Sequence, residues 1–248
     1  MVKQTIPERV AGRFASARRV AVLTGAGVSA ESGLETFRGP DGTWGKVNIE
    51  EVATPQAFAR DPVKVWNWYD SRRTGFKEVK PNPAHLALAA MEMHFEHFAL
   101  VTQNIDGLHK QAGSRNIIEL HGNIWEVRDT ESGEVSVDER TPLPEIPPRS
   151  ADGNLLRPNV VWFGEMLPPG VMEAAAREAE SCEVFLVVGT SAVVQPAASL
   201  PILARRAGAL LLEFTLQPTE ISDFVDHSFY GKAGETLPPF LELIGESL

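Results

Sequence analysis

Val20-Ala21-Val22-Leu23-Thr24-Gly25-Ala26-Gly27-Val28-Ser29-Ala30 is a short apolar run ending at two glycines one residue apart. A buried parallel strand breaking into a tight turn has this composition. The spacing Gly25-x-Gly27-x-x-Ala30 fits the small-residue form of a dinucleotide fingerprint. Gly25 permits the turn, Gly27 leaves room for a phosphate, and Ala30 allows close helix–strand packing. Glycine-rich strand ends also arise for purely structural reasons, so the weight falls on the neighbouring sequence.

A dehydrogenase would continue into a long helix and a second strand ending in an acidic residue. Here Gly33, Gly39, Pro40 and Gly42 interrupt the next segment, and no ordinary helix survives that composition. Glu50 and Glu51 lie at the right distance for a ribose-binding acid, but in a helical pattern. The expectation is a loop that covers a dinucleotide and carries Phe37 and Arg38 towards it, which argues against plain hydride transfer.

Further out, the pattern alternates. An amphipathic helix is predicted over 7–17, and strands over 20–24, 98–102, 116–120, 184–189 and 209–214. Helices are predicted from 49 to 78, with Asp61-Pro62 as a start, and over 83–95, 169–181, 197–207 and 235–246. A hairpin around Ser132-Gly133 and a proline-rich loop separate Ile124 from Pro158, and a core pattern resumes at Asn159–Gly164. The fold class is α/β, a doubly wound parallel sheet with a smaller second lobe built from two insertions. The large domain takes 1–30, 81–121 and 159–248; the small lobe takes 31–80 and 122–158.

Within 248 residues there is room for one large domain with an insert. A net charge of −10 offers no basic face to nucleic acid and repels anionic membranes. No apolar run is long enough to span a bilayer, and the first residues lack the apolar core of a signal peptide. Cys182 is the only cysteine, so no intrachain disulfide forms, and a cytoplasmic location is expected.

Polar residues collect at the strand ends: Gln103, Asn104 and Asp106; His121 and Gly122; Gly189, Thr190 and Ser191. On an open α/β sheet these converge on one crevice. The amides of Gln103 and Asn104 suit a carboxamide or a ribose hydroxyl, although Asn104 or Asp106 can equally cap a helix at Gly107-Leu108. His121 is the best general base, needing little pKa shift to work near neutrality. His85, His94 and His97 are read on a helix, His94-x-x-His97 having metal-ligand spacing without a third ligand. His109 is read as a cap and His227 as part of a polar loop. Tyr69 and Arg72 share a helical face and suit a small carboxylate, or form a surface pair.

Taken in order, Gly25-Ala26-Gly27-Val28-Ser29, Gly33-Leu34, Phe37-Arg38-Gly39, Thr102-Gln103-Asn104-Ile105-Asp106-Gly107-Leu108-His109, His121-Gly122, Val160-Val161-Trp162-Phe163-Gly164-Glu165, Gly189-Thr190-Ser191 and Gly231-Lys232-Ala233 resemble the sirtuins, NAD-dependent protein deacylases. The resemblance implies NAD as cofactor and an acyl-lysine protein or peptide as partner, bound between two lobes. In that family the acyl oxygen attacks C1′ of the nicotinamide ribose and releases nicotinamide. The histidine matching His121 then acts as base, leading to 2′-O-acyl-ADP-ribose and free lysine.

By the same carry-over His121, Asn104 and Asp106 are catalytic. The cofactor contacts are Gly25, Ala26, Gly27, Ser29, Ala30, Phe37, Arg38, Trp44, Gln103, Asn104, Ile105, Asp106, His121, Gly189, Thr190, Ser191, Thr215 and Ala233. Val161, Trp162, Phe163, Gly164 and Glu165 hold the substrate peptide as an added strand. Tyr69-x-x-Arg72 with Ala53-Thr54-Pro55 resembles the subgroup that prefers succinyl, malonyl and glutaryl groups.

Two departures stand out. The four zinc-binding cysteines of the family are absent, so no zinc is expected, and the 124–158 module relies on its hairpin, its prolines and the packing of Ile124, Trp125 and Val127. Thr215 stands where the family commonly has Asn, and is expected to donate to a ribose hydroxyl with shorter reach. Protein ADP-ribosyl transfer and a non-catalytic NAD-sensing module are the competing readings.

Overall fold

The computed structural model describes residues 5–36 and 47–246. Six parallel strands form the main sheet in the order β3-β2-β1-β7-β8-β9. They are β1 (Arg19–Thr24), β2 (His97–Thr102), β3 (Ile117–Glu119), β7 (Val184–Val188), β8 (Leu210–Thr215) and β9 (His227–Tyr230). The chain winds outward from β1 to β3, then returns to the other side of β1 through β7. The switch point therefore lies between β1 and β7, where Gly25 and Gly189 end their strands.

Period-two alternation explains why both faces are covered. Val20, Val22, Val184 and Leu186 pack with Phe14, Leu88 and Phe240 on one face. Ala21, Leu23, Phe185 and Val187 pack with Ala175, Leu200 and Ala204 on the other. Short helices flank the sheet: α1 (Glu8–Ala15), α5 (Pro83–His94), α7 (Val171–Ser181) and α8 (Leu200–Arg206). At the start of α5 the Asn82 side chain accepts from the Ala84 N–H, with Pro83 supplying the pre-set first turn.

The second lobe joins α2 (Ile49–Val52), α3 (Pro55–Arg60) and α4 (Pro62–Phe76) to a three-stranded antiparallel sheet, β5-β4-β6. Its strands are β4 (Gly122–Asp129), β5 (Val135–Val137) and β6 (Leu156–Val160). Phe58, Val65, Trp66, Ile124, Val127 and Trp162 form a separate core there. Polar ties cross-link it. Trp66 Nε1 donates to the Leu156 carbonyl at 2.8 Å, and Arg73 Nε to that of Ile124 at 2.7 Å. At the β4–β5 turn, Asp129 accepts from the Glu131 and Ser132 N–H groups at 2.8 and 3.1 Å and from Asn154 Nδ2 at 3.1 Å. The backbone bonds from Ser132 and Glu131 hold its carboxyl down at about 2. Ile124 and Val127 are buried as expected, while Trp125 is only half-buried and sends its Nε1–H to the Asp106 carbonyl at 2.9 Å.

Four local expectations differ. The core pattern at Asn159 belongs to β6, which pairs antiparallel with β4 in the small sheet and runs to Val160. His227 opens the edge strand β9, because the alternation of Phe229 with polar neighbours is too short to stand out in sequence. Instead of one closing helix there are two short ones, α9 (Ala233–Thr236) and α10 (Pro239–Glu242), since Pro238-Pro239 cannot continue a helix. His97 begins β2, and its Nε2 meets Glu178 at 2.6 Å while His94 faces Glu246 at 3.7 Å, so the pair shares no ligand position.

Candidate active site

The carboxyl ends of β1, β2, β7 and β8 open into a cleft of about 2180 Å³ against the small lobe. Its large-lobe wall carries Gly25, Ala26, Gly27, Ala30, Gln103, Asn104, Ile105 and His121. Gly189, Thr190, Ser191, Thr215 and Ala233 continue that wall, and Ala53, Tyr69 and Val161–Glu165 face it from the other lobe. Ser29, Asp106 and Arg72 lie in a smaller adjoining cavity that shares Ala26, Asn104 and Ile105 with the cleft. Phe37, Arg38 and Trp44 lie outside the described residues.

The glycines have a packing role beside the one read in the sequence. Gly25 is extended, with φ −134°, and needs no left-handed turn. A Cβ on Gly25 would sit 2.7 Å from Thr190 Cβ, and one on Gly27 would sit 2.7 Å from the Gly189 carbonyl oxygen. The missing side chains let the ends of β1 and β7 touch, and the short 3₁₀ segment Ala26–Ser32 then turns along the cleft. Ala30 lines the cleft rather than closing a helix against the sheet.

Behind this wall lies a hydrogen-bonded chain of buried polar groups. Asn104 Nδ2 donates to the Gly25 carbonyl and to Ser29 Oγ, both at 3.1 Å. Ser29 Oγ donates to Asp106 Oδ2 at 2.8 Å, while Asp106 Oδ1 accepts from the Leu108 N–H at 2.9 Å. Asp106 thus holds Ser29 with one oxygen and the helix start at Leu108 with the other. Burial raises its pKa despite those donors and the Arg72 charge.

His85 and His109, ranked low on sequence alone, stand behind Ser29 with ring centroids 4.8 Å apart. His85 Nδ1 accepts from the Asn82 N–H at 3.3 Å, so its Nε2–H faces Ser29 Oγ at 3.4 Å. His109 is no cap: its Nε2 lies 3.0 Å from Thr24 Oγ1. Burial takes His85 down to about 4 and His109 well below the usual imidazole value, so both are neutral. Their placement between a strand end and a helix start is tertiary, and no spacing announces it.

His121 is half-buried at the cleft wall. Its Nδ1 lies 2.9 Å from the Gln103 carbonyl, which can only accept, so Nδ1 carries the proton and Nε2 keeps its lone pair. Burial lowers its pKa, opposed by that hydrogen bond. Gly122 follows at φ +77°, where a Cβ would lie 2.0 Å from the Asn159 carbonyl oxygen. Only glycine lets β6 cross this close behind His121. Gln103 Nε2 donates to Thr190 Oγ1 at 3.0 Å. Thr215 Oγ1 donates to the Gln217 carbonyl at 3.0 Å, so in this structure its proton is turned to the chain rather than into the cleft.

Tyr69 is 2% exposed, which removes the surface-pair reading. Its Oη accepts from Trp162 Nε1 at 2.9 Å, and burial pushes its pKa up to about 12. Arg72 lies over the Trp68 and Phe76 rings, 4.9 and 5.0 Å from their centroids, and burial lowers its pKa against the fields of Tyr69, Asp106 and Glu35. Tyr69 lines the cleft, and Arg72 lines the smaller cavity that adjoins it. Along 161–165 the N–H groups of Val161, Trp162, Phe163 and Glu165 bond to His121, Glu165, Ala53 and Trp162.

The Sir2 family pattern matches residues 25–196. The chain is 49% identical over 228 residues to an NAD-dependent protein deacylase of Aquifex aeolicus, covering 92% of this chain and 95% of that one. It is 41% identical over 257 residues to the mitochondrial NAD-dependent protein deacylase sirtuin-5 of Danio rerio, covering 92% and 84%. A solved Sir2 homologue–NAD complex superposes with a TM-score of 0.90 at 45% identity, covering 98% and 95%. On that match and these identities the chain belongs to the Sir2 family as an NAD-dependent protein deacylase.

Proposed function

We propose that this deacylase prefers acyl-lysine side chains ending in a carboxylate, succinyl or malonyl, over acetyl-lysine. The observation that carries the reading is the buried Tyr69 hydroxyl on the cleft wall. The Trp162 indole occupies one of its lone pairs, leaving its own hydrogen to donate. Arg72 beside it supplies the charge that offsets desolvation of an acid, and the small Ala53 side chain leaves the pocket open.

The glycine-lined contact between the strand ends and the polar atoms of Gln103 and Asn104 fit a dinucleotide. When bound, NAD would supply an electrophilic ribose carbon and nicotinamide as leaving group. His121 Nε2 would accept a proton from a ribose hydroxyl, with the Gln103 carbonyl steadying the imidazolium through Nδ1–H. Asp106 holds Ser29, and through it Asn104, in register with Gly25. The peptide lies along Val161–Glu165, the segment that lines the cleft from the small-lobe side, as an added strand.

The test compares kcat/KM on one peptide carrying acetyl-, succinyl- or malonyl-lysine, for wild type and Arg72→Met. Preference for the acidic groups that collapses in the variant is the expected result. Better turnover of acetyl-lysine, indifferent to Arg72, overturns it. No turnover of any peptide with NAD still bound would move ADP-ribosyl transfer and NAD sensing forward.

A further inference from the structure

Arg128 and Arg157 sit directly opposite each other on β4 and β6, and both line the cleft. Like charges in that register repel unless each is compensated. Arg157 is compensated: Glu165 holds it through both oxygens at 2.6 and 2.9 Å, and its guanidinium lies 3.6 Å from the Trp162 ring centroid. Arg128 is held differently. Its Nε and Nη2 both donate to one neutral acceptor, Asn159 Oδ1, at 3.1 and 2.8 Å. Asn159 Nδ2 in turn donates to Glu126 Oε2 at 2.7 Å, which fixes the amide's orientation.

Among the described residues Arg128 forms no ion pair, and its Nη1 has no hydrogen-bond acceptor. Two carboxylates are near, and both are engaged elsewhere. Glu165 is committed to Arg157 and the Trp162 N–H, and Glu126 takes the Asn159 amide. Burial pushes the Glu165 carboxyl up, yet the bonds from Arg157 and the Trp162 N–H, with the Arg157 and Arg128 charges, carry it below the usual glutamate value. The Arg128 field therefore reaches the peptide-facing segment. Its anchor, Asn159, is two residues before Val161, about 7 Å along an extended strand.

We propose that Arg128 is a specificity subsite for an acidic side chain, aspartate or glutamate, within about three residues of the acyl-lysine in the substrate peptide. The inference rests on the deacylase reading and on the peptide path along Val161–Glu165, but not on which acyl group is removed. A guanidinium held by two of its nitrogens and open at the third is oriented for a carboxylate at little further entropic cost. Because the site is half-exposed, it discriminates in KM more than in kcat, and less at high salt.

The test uses acyl-lysine peptides identical except for Glu, Gln or Lys at each flanking position, with kcat/KM measured for wild type, Arg128→Gln and Arg128→Glu. Wild type is expected to prefer Glu over Gln by about five- to tenfold at one or two positions. Arg128→Gln brings that ratio near one, and Arg128→Glu turns the preference towards Lys. A purely structural role lowers all peptides together and leaves the ratio intact, which overturns the proposal. So does a wild-type ratio near one at every position, or a rise in the KM for NAD with the peptide ratio preserved. Absence of turnover on every peptide would count against the deacylase reading instead.

Discussion

Replacing Trp162 by Phe removes the indole N–H while keeping an aromatic ring in the small-lobe core. Trp162 is 3% exposed, and its Nε1–H is bonded to the equally buried Tyr69 Oη at 2.9 Å. Leaving that oxygen without its donor costs about 1–3 kcal/mol. The vacated part of the indole adds about 1 kcal/mol, and the weaker ring under Arg157 about 0.5 kcal/mol. A total of roughly 2.5–4.5 kcal/mol lowers Tm by about 5–18 °C in a chain this long. The sharper consequence is in selectivity. Without the indole the phenol hydrogen is free to rotate away from the acyl group, which costs about 1 kcal/mol of binding, or about fivefold. The succinyl-to-acetyl ratio of kcat/KM is therefore expected to fall about fivefold, with acetyl turnover within twofold of wild type at a temperature where both proteins are folded. A ratio equal to wild type in a folded variant would refute the reasoning, because Tyr69 would then be oriented by something else.

Two further predictions concern His121. Gly122→Ala places a methyl 2.0 Å from the Asn159 carbonyl at φ +77°, so calorimetry should show Tm lower by at least about 5 °C, with kcat reduced more than KM is raised. Because burial sets the His121 pKa below 6.5, its base form persists into mildly acidic solution and is lost only as pH falls through that lower value. The acid limb of kcat/KM should accordingly lie below pH 6.5, and His121→Ala should abolish the activity that defines it.

The main sheet was legible because both of its faces are buried, which turns strands such as Val184–Val188 into unbroken apolar runs. The wall residues of the cleft were legible for a related reason: polar side chains following such runs have only the crevice to occupy. What escaped depended on contacts between distant segments. Nothing local distinguishes His85 and His109 from other helical histidines until Ser29 and Thr24 are folded against them. The crowding of Gly27 by Gly189, a residue 162 positions away, shows only once the strands are paired. The strand Leu156–Val160 belongs to the small sheet because its apolar residues alternate, which suits the half-buried face of the hairpin.

The Asp129 turn has a thermodynamic corollary. Its donors from Glu131, Ser132 and Asn154 all lie within 25 residues of Asp129. Only short loops have to close for the turn to form, so the chain entropy it costs is small beside that of the contacts between the two lobes.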